Sequence, residues 1–430
     1  MNRNVMQKLI EWKKSPERKP LILKGARQVG KTWLMKEFGA KYYNNYAYFS
    51  FDEEKELSSI FEKNKNPHRI IELLGVINNQ VIKPKETLII FDEIQECPDA
   101  LNSLKYFNEK ANEYHVISAG SLLGTLLTDA KSYPVGQVNL INLYPLTFDE
   151  FLAVLDESLF NYYKEIHKGQ QIEEIFHTRL LDIYNYYLII GGLPECVTSW
   201  KKYKDPQRIM QIQNELIQIY ENDFTKHNKK IDSIKILQIF RSLVSQLSKS
   251  NEKFLYGCVK SGARAREYET GIEWLVSAGL VYRVYNVTKP EHPLKAHDQL
   301  NNFKLFLFDT GLLKHMAGVD NSTILLKSDY QFKGPLTENY VLQQLQDKFI
   351  IEPRFYLYER SEIDFLIQHH AEIIPVEVKG GTNKIASSFK SYIKNKVPRV
   401  AIRYSKLGYV TDGKITNIPL YLTEKTDILI

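Results

Sequence analysis

A glycine-rich segment near the start of the chain, GARQVGKT at residues 25–32, constrains the fold more than any other stretch. It follows the short apolar run LILK and precedes a segment with a helical pattern. A glycine-rich loop between a strand and a helix can curl until its backbone amides point at a phosphate, at the positive end of the helix. The segment matches G-x-x-x-x-G-K-[ST] completely, and its flanks argue against a chance match in a loop.

The residue types in this loop predict separate roles in binding ATP and Mg²⁺. Gly25 and Gly30 permit the backbone to curl around the phosphates. Lys31 is expected to reach the β- and γ-phosphates, and the hydroxyl of Thr32 is expected to ligate Mg²⁺. The sequence therefore predicts a phosphate-binding loop that opens a parallel sheet flanked by helices.

Two further motifs complete the predicted nucleotide site. In TLIIFDEIQE, four apolar residues bring Asp92 and Glu93 to the carboxyl end of a strand, where ligands bind in open α/β sheets. Asp92 is expected to hold Mg²⁺ through water, and Glu93 is expected to orient and polarise the attacking water. In HVISAGSLLG, Ser121 follows another strand. It fits two roles equally, a contact to the γ-phosphate or the cap of a helix that begins at Leu122.

The pattern of predicted elements indicates an α/β multidomain chain with four parts. Residues 1–155 alternate strands and helices, which is typical of a parallel sheet covered by helices. Residues 156–230 are helix-dominated, with a turn at the GGLP of residues 191–194. Residues 231–318 read as three helices followed by a β-hairpin, a pattern that resembles a winged helix. Residues 319–430 read as a helix followed by strands.

Local patterns also give bounds for individual elements within these parts. The strands are 21–24, 46–51, 88–91, 115–118, 280–287, 303–308, 355–358, 363–368, 373–378 and 399–404, and the helices with predicted bounds are 254–260, 264–278 and 335–348. A capping box formed by Thr147 and Glu150 is expected to open a helix that continues to Leu155.

The strand IIPVEVKG carries an acid and a base on one face, because side chains of Glu377 and Lys379 are two residues apart. This pair resembles the E-x-K half of the PD-(D/E)xK nuclease motif. The resemblance implies an acid at the start of the preceding strand, which Asp364 supplies, and an acid on the first helix, which Glu338 supplies. Carboxylates of this kind hold Mg²⁺, and the lysine stabilises developing negative charge. The alternative is a surface salt-bridge cluster of little energetic value.

The charge pattern beside this predicted site favours nucleic acid over a plain ion-pair cluster. Residues 378–411 contain no acidic residue but eight Lys or Arg. A one-sided basic segment next to a carboxylate pair is the pattern expected for contact with a phosphate backbone. A solvated helix face explains part of the same pattern.

Taken together, the motifs resemble AAA-type ATPases, and more closely a family of bacterial and archaeal ATPases with a large C-terminal region of uncharacterised function. The resemblance lies in GARQVGKT, LIIFDEIQ, SAGSLL, LYPLTFDEF, GGLPE, LFLFDTGLL and EIDFLI with IPVEVKG. It implies the order ATPase core, helical lid, winged helix and restriction-endonuclease-like domain. This chain departs from the family at Gln137, where a basic residue often stands, so an arginine finger from this part of the core is not expected.

The bulk properties fit this interpretation and exclude several classes. The 430 residues are 43% hydrophobic and 25% charged, and the net charge is +6. Three cysteines are too few for a disulfide framework, and no apolar run is long enough for a membrane span. The first twenty residues lack the apolar stretch of a signal peptide, so a cytoplasmic protein without a membrane partner is expected.

The predicted function is ATP binding and hydrolysis coupled to a Mg²⁺-dependent nuclease-like domain that acts on or binds DNA. The catalytic residues of that domain are then Asp364, Glu377 and Lys379, and its metal ligands are Glu338, Asp364 and Glu377. The alternative is a nucleotide-dependent switch or scaffold that cuts nothing. An ATP-driven protein remodeller has no positive support in the sequence. A protein partner or a homo-oligomer stays open.

Overall fold

The computed structural model describes residues 3–120, 136–226, 230–249, 253–358, 361–382 and 386–430. It divides into two compact units. The N-terminal unit is Asn2–Tyr144 with Ser277–Gly279, and the C-terminal unit contains Pro145–Val276 and Leu280–Ile430. None of the helices in the described ranges has the length and apolar character needed to cross a membrane.

The N-terminal unit is built on a five-stranded sheet whose paired strands all run parallel, in the order β2-β3-β4-β1-β5. Its central strands β3 and β4 are buried along their whole length, as expected when helices cover both faces. The sequence-based prediction of a parallel sheet is therefore confirmed, although the strand at 139–142 was not predicted. The strands are β1 Leu21–Lys24, β2 Asn45–Ser50, β3 Thr87–Asp92, β4 His115–Gly120 and β5 Asn139–Asn142, and the helices are α1 Val5–Lys14, α2 Lys31–Tyr42, α3 Ser58–Lys63, α4 Pro67–Ile77 and α5 Pro98–Lys110.

The C-terminal unit begins with helices. The predicted capping box at its start is confirmed, because the backbone amide of Thr147 donates to Glu150 Oε2 at 3.1 Å. The described helices are α6 Phe148–Leu155, α7 Glu157–Glu165, α8 Glu174–Ile190, α9 Pro194–Tyr203, α10 Pro206–Lys226, α11 Lys230–Ser248, α12 Tyr256–Val259, α13 Ala265–Ser277, α14 Thr310–Met316, α15 Asn321–Leu325, α16 Lys333–Gln344, α17 Ser387–Lys396 and α18 Thr426–Leu429.

A mixed eight-stranded sheet forms the centre of the C-terminal unit, in the order β12-β13-β11-β10-β9-β8-β6-β7. Its strands are β6 Val281–Val287, β7 Asp298–Leu307, β8 Arg354–Tyr358, β9 Ser361–His369, β10 Glu372–Val378, β11 Ala401–Ser405, β12 Val410–Asp412 and β13 Ile415–Pro419. Strands β9 and β10 are an antiparallel pair, and β11 pairs parallel to β10.

The β6–β7 hairpin, predicted as the wing of a separate domain, extends this same sheet. Asn286 of β6 pairs in parallel with Phe355 of β8, and the side-chain oxygen of Asn286 accepts a hydrogen bond from the amide of Leu357 at 3.1 Å. The predicted boundary after residue 318 therefore crosses one continuous sheet. Local patterns predicted the hairpin but not its pairing with a strand some seventy residues later in the sequence.

A buried carboxylate joins two of the sequence motifs, GGLPE and LFLFDTGLL. Asp309 is fully buried and caps α14, because its Oδ1 accepts from the amide of Leu312 at 3.0 Å. Its Oδ2 accepts from the amide of Gly192 at 2.7 Å. A Cβ on Gly191, whose φ is +77°, would lie 2.2 Å from Asp309 Oδ1. Burial raises the pKa of Asp309 to about 6. These motifs therefore hold the helices of the unit together.

Candidate functional site

The backbone of the N-terminal unit places two loop glycines where other residues would be strained. Strand β1 ends at Lys24 and helix α2 begins at Lys31. Gly30 caps the helix with φ of +94°, in the left-handed region that favours glycine. A Cβ on Gly25 would lie 2.2 Å from the carbonyl oxygen of Leu143. The predicted curl of the loop is therefore present, and the glycine positions follow from backbone geometry.

Lys31 lies against the loop that precedes it. Its Nζ donates to the carbonyl oxygens of Gly25 and Ala26 at 3.0 and 2.9 Å. Burial lowers the pKa of Lys31 to about 8, although Glu93 and Asp92 favour the charged form. Because a nearby anion favours an ammonium group, a phosphate in this loop would stabilise the charge on Lys31.

The predicted oxygen ligands lie side by side at the end of β3. The hydroxyl of Thr32 donates to Asp92 Oδ2 at 2.6 Å, and the hydroxyl of Tyr48 donates to the same oxygen at 3.0 Å. Burial raises the pKa of Asp92, while the hydrogen bond from Thr32 lowers it. A hydroxyl and a carboxylate in contact are the hard oxygen groups that suit Mg²⁺. The residues present therefore fit a nucleotide-bound Mg²⁺ ion.

Glu93 follows Asp92 on an unusual backbone, and its own amide donates to Asp92 Oδ1 at 3.1 Å. It adopts a left-handed conformation, with φ of +48°, directly after the buried strand. The side-chain amide of Gln95 donates to Glu93 Oε2 at 2.6 Å. Gln95 is therefore an orienting residue that the sequence pattern did not reveal. Ser121, predicted to contact the γ-phosphate or cap a helix, lies outside the described residues.

Gln137 stands where the resemblance to AAA-type ATPases led us to expect a basic residue. Its Oε1 accepts a hydrogen bond from the side-chain amide of Asn108, on α5, at 2.6 Å. Gln137 therefore has a neutral partner within its own unit.

In the C-terminal unit, the β9–β10 hairpin brings two predicted acids together. Val376 pairs with Phe365, so the next step of the register places Glu377 opposite Asp364. Directly opposed residues of an antiparallel pair project to the same face. The backbone amide of Val378 donates to Asp364 Oδ2 at 2.6 Å, which fixes the aspartate at this position.

Glu377 is buried with one oxygen that lacks a hydrogen-bond partner. Its side chain is 5% exposed. Its Oε1 accepts from the amide of Ala386 at 3.0 Å and lies 3.3 Å from Lys379 Nζ. Among the residues that the structure describes, no group forms a hydrogen bond with its Oε2. Burial raises the pKa of Glu377, and Asp364 raises it further against the opposing effect of Lys379. A buried oxygen in this state is suited to a cation.

Glu338, on α16, belongs to the same electrostatic cluster. Burial and the neighbouring Asp364 raise the pKa of Glu338 to about 8, while Lys304 and Lys379 lower it. Burial also raises the pKa of Asp364. Within the described ranges, no three His, Cys, Asp or Glu side chains are arranged to hold a metal ion together. The structure thus does not display the expected three-carboxylate centre, and these metal roles stay predictions.

Two further charged residues in this cluster were not predicted. Lys304, on β7, forms an ion pair with Glu362, at the start of β9. Burial lowers the pKa of Lys304, but the carboxylates of Glu362 and Glu338 raise it more. Glu362 could have been found from its spacing, because it lies two residues before Asp364 on the same strand. No local signal marks Lys304, since it comes from the hairpin earlier in the chain.

Comparisons with known families agree with the geometry of the nucleotide site. Residues 17–152 match the model of a family described as AAA domain. The chain carries an AAA-type P-loop ATPase domain. Residues 181–323 match a domain of unknown function (DUF8612), and residues 333–422 match a second one (DUF4143). A comparison with functionally curated proteins found no match.

Several solved structures are distantly similar to this chain. The Walker-type ATPase PABY2304 of Pyrococcus abyssi shares 16% identity over 73% of this chain and 95% of that one, with a TM-score of 0.46. The Orc1 protein of Aeropyrum pernix in complex with DNA shares 11% identity, covering 74% and 93%, with a TM-score of 0.31. AMPPCP-bound DnaA from Aquifex aeolicus shares 14%, covering 64% and 85%, with a TM-score of 0.28. Likenesses this distant carry no argument about activity or partner.

Proposed function

We propose that this chain hydrolyses ATP in its AAA domain and that its C-terminal unit contains a Mg²⁺-dependent nuclease-like centre that acts on DNA. The observation that carries the second part is the buried Oε2 of Glu377, which has no partner within the described ranges and lies on the same face of the sheet as Asp364. Leaving a charged oxygen buried without a partner is costly, so such groups mark sites where a ligand completes the contacts.

The residues present fit a Mg²⁺ ion with few protein ligands. Mg²⁺ is usually held by one or two carboxylates together with waters and substrate phosphates. Asp364 and Glu377 supply two carboxylates, and Glu338 supplies a third acid in electrostatic contact. When bound, the ion activates water and neutralises phosphate charge. Lys379, whose Nζ lies 3.3 Å from Glu377, is placed to stabilise negative charge on a phosphate.

In the AAA domain, we assign the roles of the chain's own residues from their positions. The loop with Gly25 and Gly30 holds the phosphates of ATP, and Lys31 binds the terminal phosphates through its ammonium group. Thr32 and Asp92 offer oxygens for Mg²⁺, directly and through water. Glu93, held by Gln95, orients the attacking water and accepts its proton.

DNA is the partner that the charge of the C-terminal unit favours. The basic stretch at 378–411 begins at Lys379, and it contains no acid. Lysine and arginine side chains near a hydrolytic centre neutralise backbone phosphates irrespective of sequence. The proposed binding is therefore non-specific in sequence and weakened by salt.

A switch or scaffold that cuts nothing is the second candidate. It is favoured by the absence of a three-ligand metal centre among the described residues. The neutral pairing of Gln137 with Asn108 also leaves that position without a cation for a neighbouring nucleotide. In this case ATP binding would control a protein partner or self-assembly, and DNA cleavage would be absent.

A cleavage assay separates the two candidates. Purified chain is incubated with linear and circular DNA and Mg²⁺ or EDTA, with and without ATP. We expect Mg²⁺-dependent cleavage by the wild type and none by Asp364→Ala, while both bind ATP equally. Asp412→Ala, an exposed acid on the same sheet, is the matched control and should cleave normally. If the wild type cleaves no DNA under any of these conditions, the nuclease proposal fails and the switch remains.

A further inference from the structure

A cavity of about 380 Å³ opens beside the acid cluster of the C-terminal unit. Its walls come from the end of α11, from the start of α16, from β7 and from the first residues of β9. The charged residues that line it are Lys249, Lys253, Lys304, Glu338 and Glu362. Three of these, Lys304, Glu338 and Glu362, belong to the electrostatic cluster described above.

The cavity is divided by charge. Lys249 and Lys253 are exposed, and neither forms an ion pair with a described acid, although Lys249 Nζ lies 3.3 Å from the sulfur of Cys258. Glu338 and Glu362 lie with Lys304 on the side of the acid cluster. A ligand that fits this arrangement carries negative charge at one end and presents a reactive group to the carboxylates at the other.

The size and the walls of the cavity narrow the class of ligand. Its volume is at the lower end of the range of about 300–1,000 Å³ for small-molecule sites, so it admits roughly one nucleotide and no duplex. Phe254 contributes an apolar edge to the cavity but is only 6% exposed, because its ring packs parallel to Phe303 with 5.7 Å between ring centroids and 16° between planes. An aromatic ring beside lysines is the combination that proteins use to bind single strands, and the partly exposed ring here is that of Tyr256, next to Phe254.

A second hollow adjoins the first cavity on the side of Lys249 and Lys253, away from the acids. It has a volume of about 420 Å³ and shares Lys249, Lys253 and Phe254 with the first cavity. Tyr256, which packs edge-on against Phe254 at 5.1 Å, lines the second hollow. Two adjoining hollows that share their lysines can hold consecutive nucleotides of one strand.

We propose that these two hollows bind the end of a single DNA strand, with its backbone phosphates at Lys249 and Lys253 and its last nucleotide directed towards Glu338 and Glu362. This inference rests on the proposed function, since it assigns that acid cluster a substrate class: single-stranded or frayed ends rather than intact duplex. The DNA strand passes Lys249 and Lys253, which line both hollows, and Lys304 lines the first cavity together with the two acids.

Binding measured without cleavage tests this inference. Fluorescence anisotropy in EDTA compares a labelled oligothymidine with a blunt duplex of the same length. We expect the wild type to bind the single strand more tightly. The double variant Lys249→Glu and Lys253→Glu should bind it at least tenfold more weakly, with a shallower dependence on salt, because two phosphate contacts are lost. The matched control is the double variant Lys201→Glu with Lys202→Glu, whose two lysines are exposed on α9. It makes the same change of charge and should bind the single strand as tightly as the wild type does.

The outcomes separate this inference from the proposed nuclease. ATP affinity and the thermal midpoint confirm that each variant is folded. If the double variant and the control lose affinity equally, or if duplex binds as well as single strand, the cavity is not the binding site. If the wild type binds single strands through Lys249 and Lys253 but cuts no DNA with Mg²⁺, the nuclease proposal fails and this site stands. If cleavage of single strands is unchanged in the double variant, the nuclease stands and this site is refuted.

Discussion

Replacing Glu377 by glutamine should remove the proposed metal site without weakening the fold. The side chain is 5% exposed, and its Oε2 has no hydrogen-bond partner in the part of the chain that the structure describes. A glutamine has nearly the same shape and can still accept the hydrogen bond from the amide of Ala386. It carries no charge, so the cost of burying an unpaired carboxylate oxygen is reduced.

The expected change in the free energy of unfolding is a gain of about 1 kcal/mol without divalent metal. An unsatisfied buried polar atom costs about 1–3 kcal/mol, and glutamine recovers part of this because its remaining unpaired atom is neutral. The lost ion pair with Lys379, which is partly exposed, offsets about 0–1 kcal/mol of the gain. With Mg²⁺ at ten times its dissociation constant, the wild type should gain about 1.4 kcal/mol and the variant nothing.

The direction in which the stability of the wild type changes with pH follows from the raised pKa of Glu377. Burial raises the pKa of Glu377 above its ordinary 4.5, so the folded chain binds more protons than the unfolded chain above that pH. The stability of the wild type therefore falls as pH rises from about 4.5 through the folded pKa. The Glu377→Gln variant lacks this titrating group, so the slope of its unfolding free energy against pH is smaller by up to about 1.4 kcal/mol per pH unit. Glu338 and Asp364, whose pKa values are also raised, still contribute to the pH dependence of stability in the variant.

Urea unfolding followed by fluorescence measures these changes as shifts in the transition of the C-terminal unit. Glu372→Gln is the matched control, because Glu372 lies at the other end of β10 and pairs with Arg399 at 2.7 Å on the surface. It should change stability little and keep the response to Mg²⁺. A loss of more than about 1 kcal/mol in Glu377→Gln, or an unchanged response to Mg²⁺, would refute the reasoning.

Three further substitutions test the nucleotide site and the buried network. Lys31→Ala should abolish ATP binding in calorimetry, and unchanged affinity would contradict the phosphate-binding role. Glu93→Gln should still bind ATP but hydrolyse it about 10²–10⁴-fold more slowly, whereas the exposed neighbour Glu96→Gln should match the wild type in a phosphate-release assay. Asp309→Ala should lower the free energy of unfolding by about 2–4 kcal/mol, since it removes a helix cap and leaves a buried backbone amide without a hydrogen-bond acceptor. Asp320→Ala, which removes an exposed cap, should cost less in the same urea titration, and equal losses would contradict the role of burial.

Local patterns predicted the N-terminal unit well because its signals are contiguous. The strand at Leu21–Lys24 has the predicted bounds, and β3 extends the predicted 88–91 by one residue at each end. Each strand is a short apolar run, and the glycine-rich loop fixes the connection from β1 to α2. The edge strand Asn139–Asn142 was missed because only alternate residues are partly buried, so no apolar run marks it.

The acid pair was predictable for a similar reason. A short turn at His370 and Ala371 joins β9 to β10, and a tight antiparallel hairpin sets the register between its strands. The position of Asp364 opposite Glu377 therefore follows from the spacing of the two motifs.

What the sequence could not predict depends on contacts between distant segments. Nothing in the hairpin of β6 and β7 indicates that Asn286 pairs with Phe355, or that Lys304 reaches Glu362. Pairing between strands far apart in sequence is decided by the packing of the whole unit, and a local pattern carries no record of it. For the same reason the sequence placed the acid site in residues 319–430 alone, whereas the structure adds a lysine from the earlier segment.

The most direct test of the central claim is a count of divalent-metal sites at equilibrium. Mn²⁺ binding is measured by electron paramagnetic resonance in nucleotide-free protein, in an Asp92→Asn background that removes the carboxylate expected to hold Mg²⁺ in the AAA domain. Asp364→Asn is the variant of choice, because an asparagine oxygen can still accept from the amide of Val378 and the hairpin is kept. We predict one bound Mn²⁺ per chain in the background protein and none after Asp364→Asn. Equal Mn²⁺ binding by the two proteins would contradict the assignment of Asp364 and Glu377 as a metal centre.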